Sequence, residues 1–243
     1  PFPETSFLSQ PDISQPSYFM KAHYVMIGGF LGAGKSTSIL KFAQALDAEG
    51  LKVGLITNDQ GARLVDTTVV HANGFPVEEI AGGCFCCRFN SLRDAADKLT
   101  TEARPDVFLA EPVGSCTDLV ATVSYPLRRI YGDRFSVAPL SVVVDPGRAA
   151  RIFGLTQGGH FSEKVTYVYR KQLEEADLIV VNKCDSSSPE MLERVVLAIN
   201  EAFPHAKTFV CSAKHGTNLE SWFESLLSEE APASRSLEIN YDT

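Results

Sequence analysis

Residues Gly29–Thr37 constrain the fold of this chain more than any other segment. They read Gly-Phe-Leu-Gly-Ala-Gly-Lys-Ser-Thr and match the pattern G-x-x-x-x-G-K-[ST]. An apolar run precedes them and an amphipathic pattern follows, which predicts a strand, a glycine-rich turn and a helix. Glycines let backbone N–H groups close around phosphate oxygens, and the N-terminus of a helix adds partial positive charge. The segment therefore predicts a phosphate-binding loop.

The side chains of this loop suit a nucleoside triphosphate with Mg²⁺. Lys35 is expected to contact the β and γ phosphates, and the Ser36 hydroxyl is expected to bind Mg²⁺. The residues predicted to contact the nucleotide here are Gly29, Gly32, Ala33, Gly34, Lys35, Ser36 and Thr37. A strand–helix turn without a ligand is the alternative, and it fits less well because the complete pattern rarely arises by chance.

The rest of the chain alternates between β-branched apolar runs and amphipathic segments. Strands are predicted over Tyr24–Gly28, Lys52–Thr57, Val107–Ala110, Leu140–Val144, Leu178–Val181 and Thr208–Val210. Helices are predicted over Lys35–Glu49, Ser91–Glu102, Leu119–Tyr131, Val165–Glu175, Pro189–Phe203 and Leu219–Leu227. Strands of such continuous apolar character are buried on both faces, which indicates a mostly parallel β-sheet flanked by helices on both faces, as in P-loop NTPases. We expect a flexible N-terminal extension at 1–20, a P-loop GTPase domain at 21–228 and a C-terminal tail at 229–243.

Composition narrows the classes of partner and compartment. The net charge of −8 disfavours non-specific binding to nucleic acid. No apolar run is long enough to cross a bilayer, so no membrane partner is expected. The six cysteines are clustered in a chain too large to need disulfides, and no secretory signal pattern begins the chain, which favours a reducing, cytoplasmic setting.

Two later segments predict guanine as the base. Asn182-Lys183-Cys184-Asp185 follows a strand and matches N-K-x-D, in which the Asp185 carboxylate accepts from N1–H and the exocyclic amine of guanine. After the next strand comes Ser212-Ala213-Lys214, whose backbone is expected to lie behind the base. A polar strand exit without a ligand is the alternative to the first motif.

Acidic residues at strand ends are the candidates for Mg²⁺ and for positioning water. Glu111 opens an E-x-x-G element whose Gly114 N–H is expected to sense a γ-phosphate. Glu111 is preferred over Asp145, for which a strand cap is an equal alternative. Asp59, in Asn58-Asp59-Gln60-Gly61, is expected to reach Mg²⁺ directly or through water, unless the segment is an ordinary turn.

Cys84, Cys86 and Cys87 form a dense thiol cluster behind a glycine pair. Thiolates are soft ligands that select zinc and related transition metals. They converge on one ion only if the backbone turns, because Cys87 points away from the other two in an extended strand. His71 and Cys116 are the candidates for a fourth ligand. Buried small residues and a redox sensor are the alternatives to a metal site.

Together these motifs resemble the CobW-type metallochaperone GTPases. The resemblance rests on Gly29–Thr37, Gly83–Cys87, Glu111–Gly114 and Asn182–Asp185 in that order, and it covers about residues 23–227. It implies GTP-gated delivery of a transition metal, zinc or cobalt, to a client protein or cofactor, with the metal on Cys84, Cys86 and Cys87. It also implies a possible nucleotide-dependent homodimer.

The chain departs from the family pattern at several places. Most members carry a second domain after this one, a His-rich metal-storage run is missing, and Asn58-Asp59-Gln60-Gly61 stands where Asn-Glu-Phe-Gly is usual. Two other functions stay open at the level of sequence: a regulatory GTP switch with a structural zinc, and a P-loop kinase for a small molecule.

Overall fold

The strands of the computed structural model, which describes residues 21–59, 74–157 and 161–228, all run parallel. Their bounds are β1 Ala22–Gly28, β2 Val53–Asp59, β3 Val77–Ala81, β4 Val107–Glu111, β5 Phe135–Val137, β6 Ser141–Val144, β7 Leu178–Val181 and β8 Lys207–Val210. The order across the sheet is β3-β2-β4-β1-β6-β7-β8, and β5 pairs with β1 beside β6. The predicted fold class is confirmed.

Helices connect the strands over both faces of this sheet. Their bounds are α1 Lys35–Ala48, α2 Phe89–Glu102, α3 Tyr125–Tyr131, α4 Pro146–Ile152, α5 Glu163–Glu175, α6 Pro189–Ala202 and α7 Glu220–Leu227. The helix predicted over Leu119–Tyr131 begins with a wide π turn at Val120–Ser124, because Pro126 has no N–H to donate to the carbonyl of Thr122.

Successive side chains of the central strands point to opposite faces of the sheet, so the core has two layers. Tyr24 and Met26 of β1 face one layer, while Val25 and Ile27 face the other. The second layer is covered by α1 and α7, and α1 contributes its buried residues at helical spacing: Ile39, Phe42, Ala43 and Leu46. Helices α2 to α6 cover the first layer. Burial on both faces explains why these strands are continuously apolar.

Because all strands are parallel, the loops that follow them meet at one edge of the sheet. That edge brings together the loops after β1, β3, β4, β7 and β8, which carry the glycine-rich, cysteine, E-x-x-G, N-K-x-D and S-A-K motifs. The predicted extension 1–20, the tail 229–243, and Gln60, Gly61 and His71 lie outside the described residues. Within the described part of the chain, no helix has the length and apolar character to span a bilayer.

A carboxylate at the end of α5 holds the loop that follows the E-x-x-G element. Glu175 accepts from the N–H groups of Asp118 (2.6 Å) and Val120 (3.2 Å). Burial raises the pKa of Glu175 to about 7, and these hydrogen bonds offset only part of that effect. The native state therefore binds a proton between about pH 4.5 and 7 that the unfolded chain has already released.

This pKa sets the sign of a stability change with pH. The contribution of Glu175 is present in full at low pH and is lost as the pH rises through the folded pKa. We expect the free energy of unfolding of Glu175→Gln, relative to the unsubstituted chain, to rise by about 2 kcal/mol between pH 5 and 8. Denaturant titrations at both pH values measure it. Glu174→Gln, at an exposed neighbouring site, is the matched control. If the free energies of unfolding of Glu175→Gln and of the parent changed by the same amount between pH 5 and 8, the raised pKa of Glu175 would be contradicted.

Candidate nucleotide and metal site

Three side chains donate hydrogen bonds to the backbone carbonyls of the loop between β1 and α1. Arg148 donates to the carbonyl of Leu31, the Lys183 ammonium donates to Gly32 (2.6 Å), and Asn182 Nδ2 donates to Ala33 (3.0 Å). In a trans peptide the N–H points opposite to the carbonyl, so the N–H groups of Gly32 and Gly34 point away from these donors. The loop is thereby arranged to present N–H groups to an anion.

Two glycines of this loop have conformations and surroundings that only glycine accepts. Gly29 has φ 131° and Gly34 has φ 101°. A Cβ at Gly29 would overlap the carbonyl oxygen of Val143 in β6, and one at Gly34 would overlap the Asn182 amide. The loop therefore passes close to the ends of two neighbouring strands.

Three predicted residues meet at the start of α1. The Ser36 hydroxyl donates to Glu111 Oε1 (3.0 Å), and the Lys35 ammonium lies 3.7 Å from the same oxygen. Lys35 is buried, Ser36 and Glu111 are half-buried, and the neighbouring Thr37 is exposed. Parallel pairing of β1 with β4 brings these residues together, because Glu111 ends β4 where the loop leaves β1. A hydroxyl, a carboxylate and a cation thus converge at the helix N-terminus.

Gly114 packs directly against the phosphate loop. A Cβ at Gly114 would lie 2.8 Å from the N of Leu31 and 3.1 Å from its Cα, which leaves room only for glycine. Gln172 of α5 donates to the carbonyls of Gly114 (3.1 Å) and Cys116 (2.9 Å), so this segment is also held from the helix side. The E-x-x-G segment therefore contacts the loop that precedes α1.

Asp145 caps the helix that follows β6 and pairs with Lys183. Its Oδ1 accepts from the N–H of Arg148 (2.9 Å) and caps α4, a helix that the pattern of apolar residues did not predict. Its Oδ2 lies 3.0 Å from the Lys183 ammonium. Burial favours the neutral acid, but the Arg148 N–H and Lys183 outweigh it and lower the pKa of Asp145. The Asp145-Pro146 pair, a typical helix start, was the signal for this cap.

The N-K-x-D segment is tied to both neighbouring loops. Asn182 Oδ1 accepts from the N–H of Ala213 (2.9 Å), while its amide bonds the phosphate loop as described. Asp185 accepts from the Ser212 hydroxyl, which is the main reason that the pKa of Asp185 is lowered. The imidazole of His215, which sequence reasoning missed, lies 3.6 Å from Asp185 Oδ2. Lys214 is exposed beside them.

The Asp185 carboxylate is 34% exposed. It remains accessible to a ligand at the edge of the sheet. Ser212 and His215 orient it, so the predicted base site has a carboxylate whose direction is set by two neighbours. No short sequence motif marks the histidine.

The cysteine segment turns, as convergence of its thiols requires. Cys87 and Arg88 donate to the carbonyl of Cys84 (3.1 and 3.0 Å), which closes a helical turn ahead of α2. Phe85 within the turn is fully buried and anchors it to the core. The Cys84 and Cys86 sulfurs are 2.7 Å apart, the Cys86 and Cys87 sulfurs 3.9 Å, and all three lie within 4.8 Å of one another.

This turn is connected to β2. The Asn58 amide donates to the carbonyl of Gly83, immediately before the cysteines. Asn58 precedes Asp59, the last residue of β2, whose side chain lies outside the described structure.

Burial acts to raise the pKa of Cys84, but hydrogen bonds from Cys86 and Cys87 outweigh it and lower the pKa to about 7. One thiolate is thus stabilised by its neighbouring thiols.

Comparisons with known proteins identify the family of this chain. The family described as CobW/HypB/UreG, nucleotide-binding domain matches residues 23–210. The zinc chaperone YeiR of Escherichia coli (strain K12) is 31% identical over 169 residues, which cover 68% of this chain and 47% of that protein. The zinc chaperone CobW of Sinorhizobium sp is 29% identical over 210 residues, which cover 79% of this chain and 58% of that protein. The chain thus spans about half the length of the curated relatives it matches.

A solved structure supports the fold. HypB from Helicobacter pylori, crystallised in complex with nickel, superposes with a TM-score of 0.60 at 19% identity, covering 86% of each chain. Since the family match covers most of the chain, this protein belongs to the CobW/HypB/UreG family of nucleotide-binding P-loop domains.

Proposed function

We propose that this chain is a Mg²⁺-dependent GTPase that carries a transition metal, zinc or cobalt, on Cys84, Cys86 and Cys87 and delivers it to a client protein or cofactor. The observation that carries the proposal is the convergence of three thiols within 4.8 Å in a chain that also assembles Lys35, Ser36 and Glu111 at a phosphate loop. The curated relatives named zinc chaperones favour zinc as the first metal to test.

The oxygen donors beside the phosphate loop suit Mg²⁺. Ser36 Oγ and Glu111 Oε1 are 3.0 Å apart, close to the roughly 3.0 Å that separates adjacent ligands of an octahedral Mg²⁺ with bonds of about 2.1 Å. Ser36 and Glu111 would hold the ion, with Asp59 as a third contact. The ion would neutralise charge on the phosphates.

Lys35 and the loop N–H groups would bind and orient the phosphates in this proposal. The Lys35 ammonium, already held beside Glu111, would contact the β and γ phosphates. The N–H of Gly114 would sense the γ-phosphate, because its backbone lies against Leu31. Hydrolysis would then release the contact between the E-x-x-G segment and the nucleotide.

Guanine would be recognised by Asp185. Its carboxylate would accept two hydrogen bonds from the base edge, and adenine offers no such pair of donors. Asn182 and Lys183 would support the site by fixing the phosphate loop, and Ser212-Ala213-Lys214 would lie behind the base. This geometry favours a GTPase over a kinase that uses ATP.

An exposed thiol suits a metal carrier better than it suits a structural zinc site. Cys87 is exposed while Cys84 and Cys86 are half-buried, so a metal on these thiols remains reachable by a receiving protein. A structural site is normally closed to solvent and complete within the protein. In this proposal the client would take the metal at the exposed side, and pairing of two copies across the nucleotide would be a further property to test.

Nucleotide and metal would be coupled through Asn58. Its bond to Gly83 joins the end of β2, which leads to the Asp59 segment, to the cysteine turn. A change at Asp59 on loss of the γ-phosphate would then reach Gly83 and the thiols. Linkage requires the metal to change nucleotide affinity by the same factor.

The experiment is zinc affinity measured by competition with a chelating indicator, under saturating non-hydrolysable GTP analogue and under saturating GDP. We expect the two affinities to differ by about tenfold or more. Asn58→Ala should reduce that ratio without abolishing zinc binding. Equal zinc affinities in the two nucleotide states would contradict the coupling. Cys86→Ser tests the carrier itself: loss of zinc with the fold retained supports it, and loss of the fold supports a structural zinc.

A further inference from the structure

Gln172 of α5 is a buried amide whose hydrogen-bonding capacity is only partly used. Its side chain donates through Nε2 to the carbonyls of Gly114 (3.1 Å) and Cys116 (2.9 Å). The residue is 3% exposed, and its Oε1 is buried without a hydrogen-bond partner among the described residues. Because a buried polar atom without a partner costs stability, packing alone gives no reason for an amide at this position. The two carbonyls that the amide binds indicate what it does.

These two carbonyls belong to a tight turn of the E-x-x-G segment. The N–H of Cys116 donates to the carbonyl of Val113 (2.9 Å) and closes the turn. The Val113 carbonyl and the Gly114 N–H belong to one peptide plane and point in opposite directions. Closure of the turn therefore fixes the direction of the Gly114 N–H, and Gln172 holds the turn by two further carbonyls.

The same helix also contacts the phosphate loop. The ring centroids of Tyr169, which is buried, and of Phe30 in the loop are 6.2 Å apart. The Arg148 guanidinium lies 5.0 Å from the centroid of the Phe30 ring, so Phe30 has contacts from two helices. Since Tyr169 and Gln172 are three residues apart, they lie on one face of α5. Helix α5 thereby sets the position of Gly114 relative to the phosphate loop.

We propose that Gln172 is a positioning residue for the γ-phosphate, holding the Gly114 N–H where it can donate to that phosphate of bound GTP. The inference rests on the proposed function and deepens it by naming a side chain that favours GTP over GDP. Gln172 acts through Gly114, whose backbone lies against Leu31 of the phosphate loop. GDP has no γ-phosphate, so its binding does not depend on this contact.

The first test compares nucleotide affinities of Gln172→Met, which keeps a long side chain but removes the donor. We expect the affinity for a non-hydrolysable GTP analogue with Mg²⁺ to fall about tenfold, because two buried carbonyls lose their partner. The affinity for GDP should stay within about twofold of the parent. Displacement of a fluorescent nucleotide measures both. Equal weakening of the two affinities, or no change in either, overturns the positioning role.

Gln157→Met is the matched control, because it makes the same substitution at an exposed residue. Both of its affinities should stay within about twofold of the parent. The ratio of the two affinities separates positioning from general support, since a side chain that only stabilises the fold affects both nucleotides alike.

A second measurement uses the parent protein and does not depend on the folding of a variant. If Gln172 favours binding of the γ-phosphate, linkage requires the γ-phosphate to strengthen the contacts of Gln172. Hydrogen exchange of the Gln172 side-chain amide, followed by nuclear magnetic resonance, should be at least about threefold slower with the GTP analogue than with GDP. Equal exchange rates in the two states overturn the proposal.

The outcomes also separate this inference from the proposed function. A parent protein that binds both nucleotides, with a Gln172→Met variant that preserves the ratio of their affinities, overturns the positioning role and leaves the nucleotide function standing. A parent protein that binds neither nucleotide overturns both.

Discussion

Replacing Lys35 with alanine is expected to lower the rate of GTP hydrolysis by about 10²–10³-fold, the loss typical of removing one preorganised charge-stabilising donor. The Lys35 ammonium is buried at the N-terminus of α1 and lies 3.7 Å from Glu111. Single-turnover hydrolysis with Mg²⁺ and saturating GTP measures the effect.

The matched control is Lys41→Ala, which removes a half-buried lysine from the same helix, α1. We expect its hydrolysis rate to stay within about twofold of the parent, because surface substitutions away from a site have small effects. Thermal melts of both variants exclude unfolding as the cause. Hydrolysis by Lys35→Ala at the rate of the Lys41→Ala control would contradict the placement of Lys35 at the phosphates.

Replacing Gly29 with alanine is expected to lower the free energy of unfolding by about 3–5 kcal/mol, in the range of strong steric and backbone effects. Its φ of 131° is open to glycine, and an added Cβ would overlap the carbonyl oxygen of Val143. Because the obstacle is the backbone of β6, no side-chain rotation relieves it. Denaturant unfolding followed by circular dichroism measures the loss.

Gly50→Ala separates the clash from the backbone conformation. Gly50 also has a positive φ, 79°, but a Cβ there meets nothing within 4 Å. We expect a loss of about 1–2 kcal/mol, the ordinary penalty for a left-handed residue. Equal losses for the two variants would show that β6 does not restrict Gly29.

Much of the fold was predictable because the central strands are buried on both faces. Such strands need continuous apolar character, which is visible in a short window of sequence. Strand β3 was not predicted because it is not continuously apolar. It lies at the edge of the sheet and carries Glu78, which is half-buried, and Glu79, which is exposed. Helix α4 was not predicted because Asp145 was considered as a ligand of Mg²⁺ and not as the N-cap of a helix.

Part of the candidate site was also predictable from the sequence, and part was not. The phosphate loop, N-K-x-D and C-x-C-C patterns were readable in sequence, because each depends on residue types at fixed local spacing. The contacts of Arg148 with the phosphate loop, of His215 with Asp185 and of Asn58 with Gly83 were not. Each joins residues that lie in or after different strands.

By itself, the sequence determined the family and the parallel α/β class, and it predicted three kinds of chemistry: a phosphate loop, a carboxylate for the base, and thiols for a metal. Only the tertiary structure decided that Cys87 turns toward Cys84 and Cys86 and that Asp145 caps a helix. The physical reason is that local spacing specifies the chemistry of a segment, whereas the order of strands in the sheet specifies which segments meet.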